Sequence, residues 1–279
     1  MLKTILVPVD GSDSCLVAVD YAIELSRIFD AELVGVSIID IKRLAGPFMR
    51  DLGTSIGGMV PYADFQRKIR QILEEMAIAA LDEFEGKCKS AKVSFIREKR
   101  EGIVSKEIVS AAKRCDMISM GMAGEHALWR DALLGSNLES VARQTHKPIL
   151  VAPGKYKKIS KMLIAYDGSA FSNKALATGA TIAQKAGIPI TVIHVSDDKA
   201  GGEIVLSQAV GSLKDYNVTY DTVIEGGEPA QAIVDVGKKG NYDLMVMGAY
   251  GHSRLRELVL GSSTVQIMRN VNCPLVLCR

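Results

Sequence analysis

The chain contains one pattern twice, and that duplication restricts its fold more than any other feature. Ile5–Ser12, read Ile-Leu-Val-Pro-Val-Asp-Gly-Ser, returns 157 residues later as Met162–Ser169, read Met-Leu-Ile-Ala-Tyr-Asp-Gly-Ser. Leu33–Asp40 returns at the same spacing as Ile190–Asp197. Further on, Asp116–Gly121 matches Asp243–Gly248, and Gly135-Ser136 with Arg143 and Pro148 matches Gly261-Ser262 with Arg269 and Pro274. Four blocks in one order define two copies, 1–153 and 159–279. The spacing falls to 127 between the second and third blocks, so the first copy carries about thirty extra residues. They are expected around 42–62, a stretch punctuated by Gly and Pro that reads as a long loop. Gly154-Lys-Tyr-Lys-Lys158 reads as a short, basic, solvated linker.

Within each copy the hydrophobic period alternates. Ile5–Val9 is a short apolar run ended by Asp-Gly, as a buried parallel strand would be. Ala18, Ala22, Leu25 and Phe29 then mark one face of a helix that Ser12 or Asp13 can cap. Strand Leu33–Ile39 follows, then a helix with Ile69, Leu73, Met76, Ala80 and Phe84 on one face. Next come strand Val93–Ile96, helix Ser105–Arg114, strand Met117–Met120, a helix after Gly135 and strand Ile149–Ala152. Strands alternating with helices predict an α/β fold, a parallel sheet covered on both faces with right-handed crossovers. Such sheets take ligands beyond the carboxyl ends of their strands, where the strand order reverses. The loops after the first and fourth strands of each copy are therefore the candidate sites.

Composition removes several function classes. Apolar residues make up 48% of the chain, which excludes intrinsic disorder. The formal charge of +2 gives no footprint for nucleic acid or an anionic membrane. No apolar run approaches the roughly 20 residues of a spanning helix, and no secretory signal pattern opens the chain, so a soluble, cytoplasmic protein is expected. The cysteines Cys15, Cys88, Cys115, Cys273 and Cys278 are scattered without metal or disulfide spacing. They read as reduced, buried small residues.

In the second copy, strand Leu244–Met247 runs into Gly248-Ala-Tyr-Gly251, then nine residues, then Gly261-Ser-Ser-Thr264 opening a helix. Glycines let backbone N–H groups turn toward a ligand, and a helix N-terminus favours an anion. Ser262, Ser263 and Thr264 add hydroxyls, so the parts suit a di- or triphosphate. Two readings stay open at Asp10 and Asp167, a turn residue before Gly-Ser or an acceptor for a ribose hydroxyl or base amine. His126 and His252 follow the second glycine of each cradle and read as a phosphate contact or a surface-loop residue. His194 reads as a packed strand residue and His146 as a turn residue. A P-loop, a G-x-G-x-x-G after the first strand and a G-x-S-x-G elbow are all missing from the sequence. A cradle without an adjoining lysine or base is built for binding rather than fast phosphoryl transfer, so no catalytic residue is assigned.

These segments together resemble the universal stress protein family. The resemblance rests on the strand ending in Asp-Gly-Ser, Met-Gly-x-x-Gly, nine residues, Gly-Ser, and the closing Cys-Pro-Leu-Val strand, and it covers the whole chain as a tandem pair. It implies two Rossmann-like (adenine nucleotide alpha hydrolase-like) sandwiches, each with a five-stranded parallel sheet. It also implies adenine nucleotide binding, usually ATP, with which Mg²⁺ commonly travels. Dimerisation through the last strand is implied too, which a fused pair satisfies within one chain, leaving a homodimer of chains and an unknown protein partner open. Carried over, the second-copy site is Ala165, Tyr166, Asp167, Val195, Met247, Gly248, Gly251, His252, Gly261, Ser262, Ser263 and Thr264. The first-copy set is Pro8, Val9, Asp10, Ile38, Met120, Gly121, Gly124, Gly135, Ser136 and Asn137. Ten residues instead of nine separate Gly124 from Gly135, with Glu125 the added one and Trp129 where the second copy has Leu255. A carboxylate beside a phosphate cradle repels the ligand, so the second copy is expected to bind better. The implied role is a nucleotide-dependent regulatory module in a stress response. A slow ATPase or phosphotransferase and a scaffold that binds no nucleotide are the alternatives.

Overall fold

The computed structural model describes residues 2–42, 62–122, 135–249 and 261–279. The first half runs β1 (Thr4–Pro8), α1 (Asp13–Phe29), β2 (Glu32–Asp40), α2 (Tyr62–Ala91), β3 (Phe95–Gly102), α3 (Val104–Ala112), β4 (Met117–Gly121), α4 (Ser136–Gln144) and β5 (Ile149–Ala152). The second runs β6 (Met162–Ala165), α5 (Ala170–Ala186), β7 (Ile190–Val195), α6 (Lys199–Leu213), β8 (Tyr220–Glu225), α7 (Pro229–Lys239), β9 (Leu244–Gly248), α8 (Ser262–Asn270) and β10 (Leu275–Cys278). The strands form one sheet in the order β3-β2-β1-β4-β5-β10-β9-β6-β7-β8. Each half is parallel throughout. The halves join where β5 and β10 pair antiparallel, Leu150 opposite Val276. The order reverses between β1 and β4 and again between β6 and β9, so each half has a crevice at the expected switch point.

Continuous apolar runs produce this because both sheet faces are covered. Ile5, Leu6 and Val7 are all fully buried, with Ile5 and Val7 in one core layer and Leu6 in the other. The first layer lies under α1, α2, α5 and α6, the second under α3, α4, α7 and α8. Ser12 caps α1, its hydroxyl accepting from the Cys15 N–H at 3.3 Å, and Ser169 does the same for α5 with Ser172 at 3.2 Å.

Two expectations need correction. The third strand is Phe95–Gly102, not Val93–Ile96, and Val93 lies in the turn that follows α2. Alternating charges hide the part of this edge strand beyond Ile96 from a hydrophobic reading, because they are ion-paired. Arg97 binds Asp82 at 2.8 Å and also Glu85, while Arg100 binds Glu98 at 3.1 Å. Such charges also discourage pairing with another chain's strand. The second correction concerns the added residues of the first half, which run on into the helix. The α2 helix has 30 residues where α6 has 15, and Met76 on its expected core face is 42% exposed. The rest of that stretch, 43–61, lies outside the described residues.

Asp116 and Asp243, which open the third repeated block, do the same work in each half. Asp116 Oδ2 accepts from the N–H groups of Lys3 (2.8 Å) and Thr4 (3.1 Å), and Asp243 Oδ2 from the N–H and hydroxyl of Ser160. Each carboxylate thus ties the entry of the central strand, β1 or β6, to the strand beside it. Burial alone would raise both pKa values, but these donors, with Lys157 at 2.5 Å from Asp243, draw them below the ordinary aspartate value of 3.8. A depressed folded pKa contributes stability that is present above that value and lost as pH falls through the folded one. Acid titration of the melting temperature should therefore steepen below 3.8. The double variant Asp116→Asn/Asp243→Asn should flatten that limb, and an unchanged profile would refute the assignment.

The linker is exposed as expected, yet it is strapped down. The Lys157 N–H donates to the buried Tyr21 hydroxyl at 3.0 Å, and the Ile159 N–H to Glu24 at 3.0 Å. Tyr156 packs on Tyr21 with ring centroids 5.0 Å apart. The cysteines are all free, and four of the five are buried. Burial pushes the thiols of Cys15 and Cys88 up to about 12, where they remain protonated and inert.

Candidate functional site

The carboxyl ends of the central strands carry the repeated turns. In the first half Pro8 ends β1, Val9 is buried with its N–H on the Val36 carbonyl at 2.8 Å, and Asp10 is exposed just beyond. Asp10 Oδ1 accepts from the Ser12 N–H at 3.0 Å and the Ser12 hydroxyl at 2.6 Å. Gly11 between them stands at φ +76, a left-handed backbone that favours glycine. The second half repeats the turn. Ala165 ends β6, the Tyr166 N–H bonds the Ile193 carbonyl at 2.9 Å, Asp167 Oδ1 accepts from the Ser169 N–H at 2.9 Å, and Gly168 has φ +78. Each aspartate therefore shapes its turn through Oδ1, which accounts for the turn reading.

A second helix N-terminus flanks each turn. Met120 and Gly121 end β4, and α4 opens at Gly135, whose N–H bonds the Met122 carbonyl at 3.1 Å. Gly121 lies under the first turn of α1, where a Cβ would come within 2.7 Å of the Ser14 carbonyl carbon. In the second half Met247 and Gly248 end β9, and a Cβ on Gly248 would stand 2.9 Å from Phe171 Cβ and 3.0 Å from its carbonyl carbon. These two glycines are required by helix-on-strand contact.

Gly261 is different. It precedes α8 with no side-chain cap, and among the described residues a Cβ there would meet only Thr264 Oγ1 at 3.4 Å and the Ala249 oxygen at 3.6 Å. Gly135 likewise opens α4 without a side-chain cap. Uncapped first-turn N–H groups at the carboxyl edge of a parallel sheet attract an anion through both their hydrogens and the helix dipole.

The remaining predicted residues divide by position. Ser136, Asn137 and Ser262 are exposed in the first turns, and Ser263 is half-buried. Thr264 is buried, its hydroxyl donating to the Ala249 carbonyl at 3.0 Å, which ties α8 to the end of β9. Ile38 lies within β2 and Val195 ends β7, both packed against the second core layer. His194 is no simple core residue. Its Nδ1 lies 2.8 Å from the Tyr166 carbonyl, and the Tyr166 hydroxyl donates to Asn173 at 2.8 Å, which braces the strand end before Asp167. The sequence reading missed that brace, and only the alignment of His194 with Ser37 marks it. Gly124, Gly251 and His252, with Glu125, His126 and Trp129, lie outside the described residues. Among the described residues, no three His, Cys, Asp or Glu side chains cluster as a metal site, and no helix is long and apolar enough to cross a membrane.

Comparison with known proteins agrees over the full length. The profile of the universal stress protein family matches residues 1–153, 158–220 and 203–279. Universal stress protein Slr1230 of Synechocystis is 28% identical over 288 residues, 99% of each chain. Universal stress protein MJ0531 of Methanocaldococcus jannaschii is 32% identical over 153 residues, 54% of this chain and 82% of that protein. The crystal structure of a universal stress protein from Archaeoglobus fulgidus superposes with a TM-score of 0.76 at 23% identity, covering 99% of this chain and 98% of that one.

Proposed function

Because the chain belongs to the universal stress protein family, we propose that it binds an adenine nucleotide, ATP in the first instance, and serves as a nucleotide-dependent regulatory module in a stress response. The observation that carries this reading is Gly261. It opens a helix without a side-chain cap at the switch-point crevice, and among the described residues a Cβ there would meet no atom closer than 3.4 Å, so the packing of those residues does not demand glycine. A ligand that approaches the backbone closely does. The phosphates would lie on the first-turn N–H groups of α8 with Ser262 and Ser263, and the nucleoside would lie toward Asp167 and Val195. Mg²⁺, where it accompanies the nucleotide, would be held chiefly by phosphate oxygens and water.

The second half is the stronger site, because Glu125 adds a carboxylate to the first-half loop. Calorimetric titration of ATP should accordingly show one strong site per chain, abolished by Asp167→Ala and little changed by Asp10→Ala. The reverse pattern would refute the preference. The proposed role is binding rather than turnover, and the discriminating observation is ATP hydrolysis that survives purification and is lost with Asp167→Ala. The two halves pair through β5 and β10 within one chain.

A further inference from the structure

The N-terminal half of α2 carries an apolar face outside both core layers. Ile72 is 50% exposed and Met76 42%, and Ile69 lies half-buried one turn before them. At helical spacing these three form one stripe. The charges along it change sign within two turns. Arg67, Lys68 and Arg70 come first, followed by Glu74 and Glu75. Helical spacing puts Lys68 and Glu75 on the flank opposite Arg70, and Glu75 accepts from Gln71 at 2.9 Å. Arg70 is occupied elsewhere, with Glu74 at 3.5 Å and with Glu101.

We propose that this stripe seats a second copy of the chain, the two α2 helices crossing antiparallel about a twofold axis near Ile72. That axis puts Ile72 against its own copy and exchanges Ile69 with Met76. The same operation brings Lys68 of one copy opposite Glu75 of the other, twice. Self-pairing of this kind is isologous, and the face occurs once per chain, so the assembly closes as a dimer. The apolar stripe supplies the attraction, and the opposed charges fix the antiparallel register.

Sedimentation of the full chain across a dilution series tests this. The wild type should be a dimer, and Ile72→Glu/Met76→Glu a monomer with unchanged melting. Lys68→Glu alone should weaken the dimer roughly tenfold or more, and Lys68→Glu/Glu75→Lys should restore it. A wild type that stays monomeric at every concentration, as it would if another segment of the same chain covered the stripe, overturns the proposal. So does a dimer indifferent to these substitutions. The nucleotide measurements do not depend on either outcome.

Discussion

Replacing Gly35 by Val is expected to cost about 3 kcal/mol of stability, the upper end of overpacking penalties, although valine is the better strand residue. Gly35 sits in β2 directly beneath α2, and a Cβ there would lie 2.4 Å from Cε1 of Phe84, a fully buried ring. Phe84 also meets Phe95 edge-on with centroids 6.0 Å apart, which closes one direction of retreat. Phe84→Ala alone should cost about 3–5 kcal/mol through the cavity it leaves. The two changes together should cost clearly less than their sum, with a coupling of roughly 2 kcal/mol in urea denaturation. The second half has valine at the matching strand position, Val192, 157 residues on from Gly35 and buried in the same core layer as Ala209 of α6. Strict additivity in the double variant would contradict the compensation.

The second large effect separates glycines that look alike in the sequence. Gly248→Ala should lower stability by about 1–3 kcal/mol, because the added methyl meets the first turn of α5. Gly121→Ala should do the same against Ser14 of α1. Gly261→Ala should leave melting almost unchanged, its new methyl touching, among the described residues, only Thr264 and the Ala249 oxygen at ordinary contact distance. Its loss should fall on ATP instead, weakening binding roughly 10- to 100-fold as the methyl enters the path of the phosphates. If Gly261→Ala binds ATP as the wild type does, the cradle is wrongly placed. If it unfolds, the glycine is there for packing.

These cases show what the sequence discloses and why it stops. The repeat exposes the alternating fold, the two switch points and the strand-end aspartates, because each depends on local pattern or chain order. It marks Gly121, Gly248 and Gly261 equally, since one residue type answers both close packing and close ligand approach. Only the position of α1 or α5 over the strand end tells them apart. The part of β3 beyond Ile96 escaped a hydrophobic reading because its charges are neutralised by α2 and by one another. The extra turns of α2 were hidden by a period that continues from buried to exposed residues without a break. Asp116 and Asp243 were visible as repeated letters. Their task of anchoring the neighbouring strand entry needed the parallel register, which places residues more than eighty positions apart within hydrogen-bond reach.

The central claim is a nucleotide held in the second half, and the most direct test is to look for it in the protein itself. The full chain would be purified without added nucleotide, denatured, and the released small molecules identified by chromatography and mass. The account predicts ATP near one per chain from the wild type and little from Gly261→Ala of equal stability. Release of no nucleotide, together with no binding of added ATP to the folded protein, would contradict it and leave a scaffold built on the same sheet.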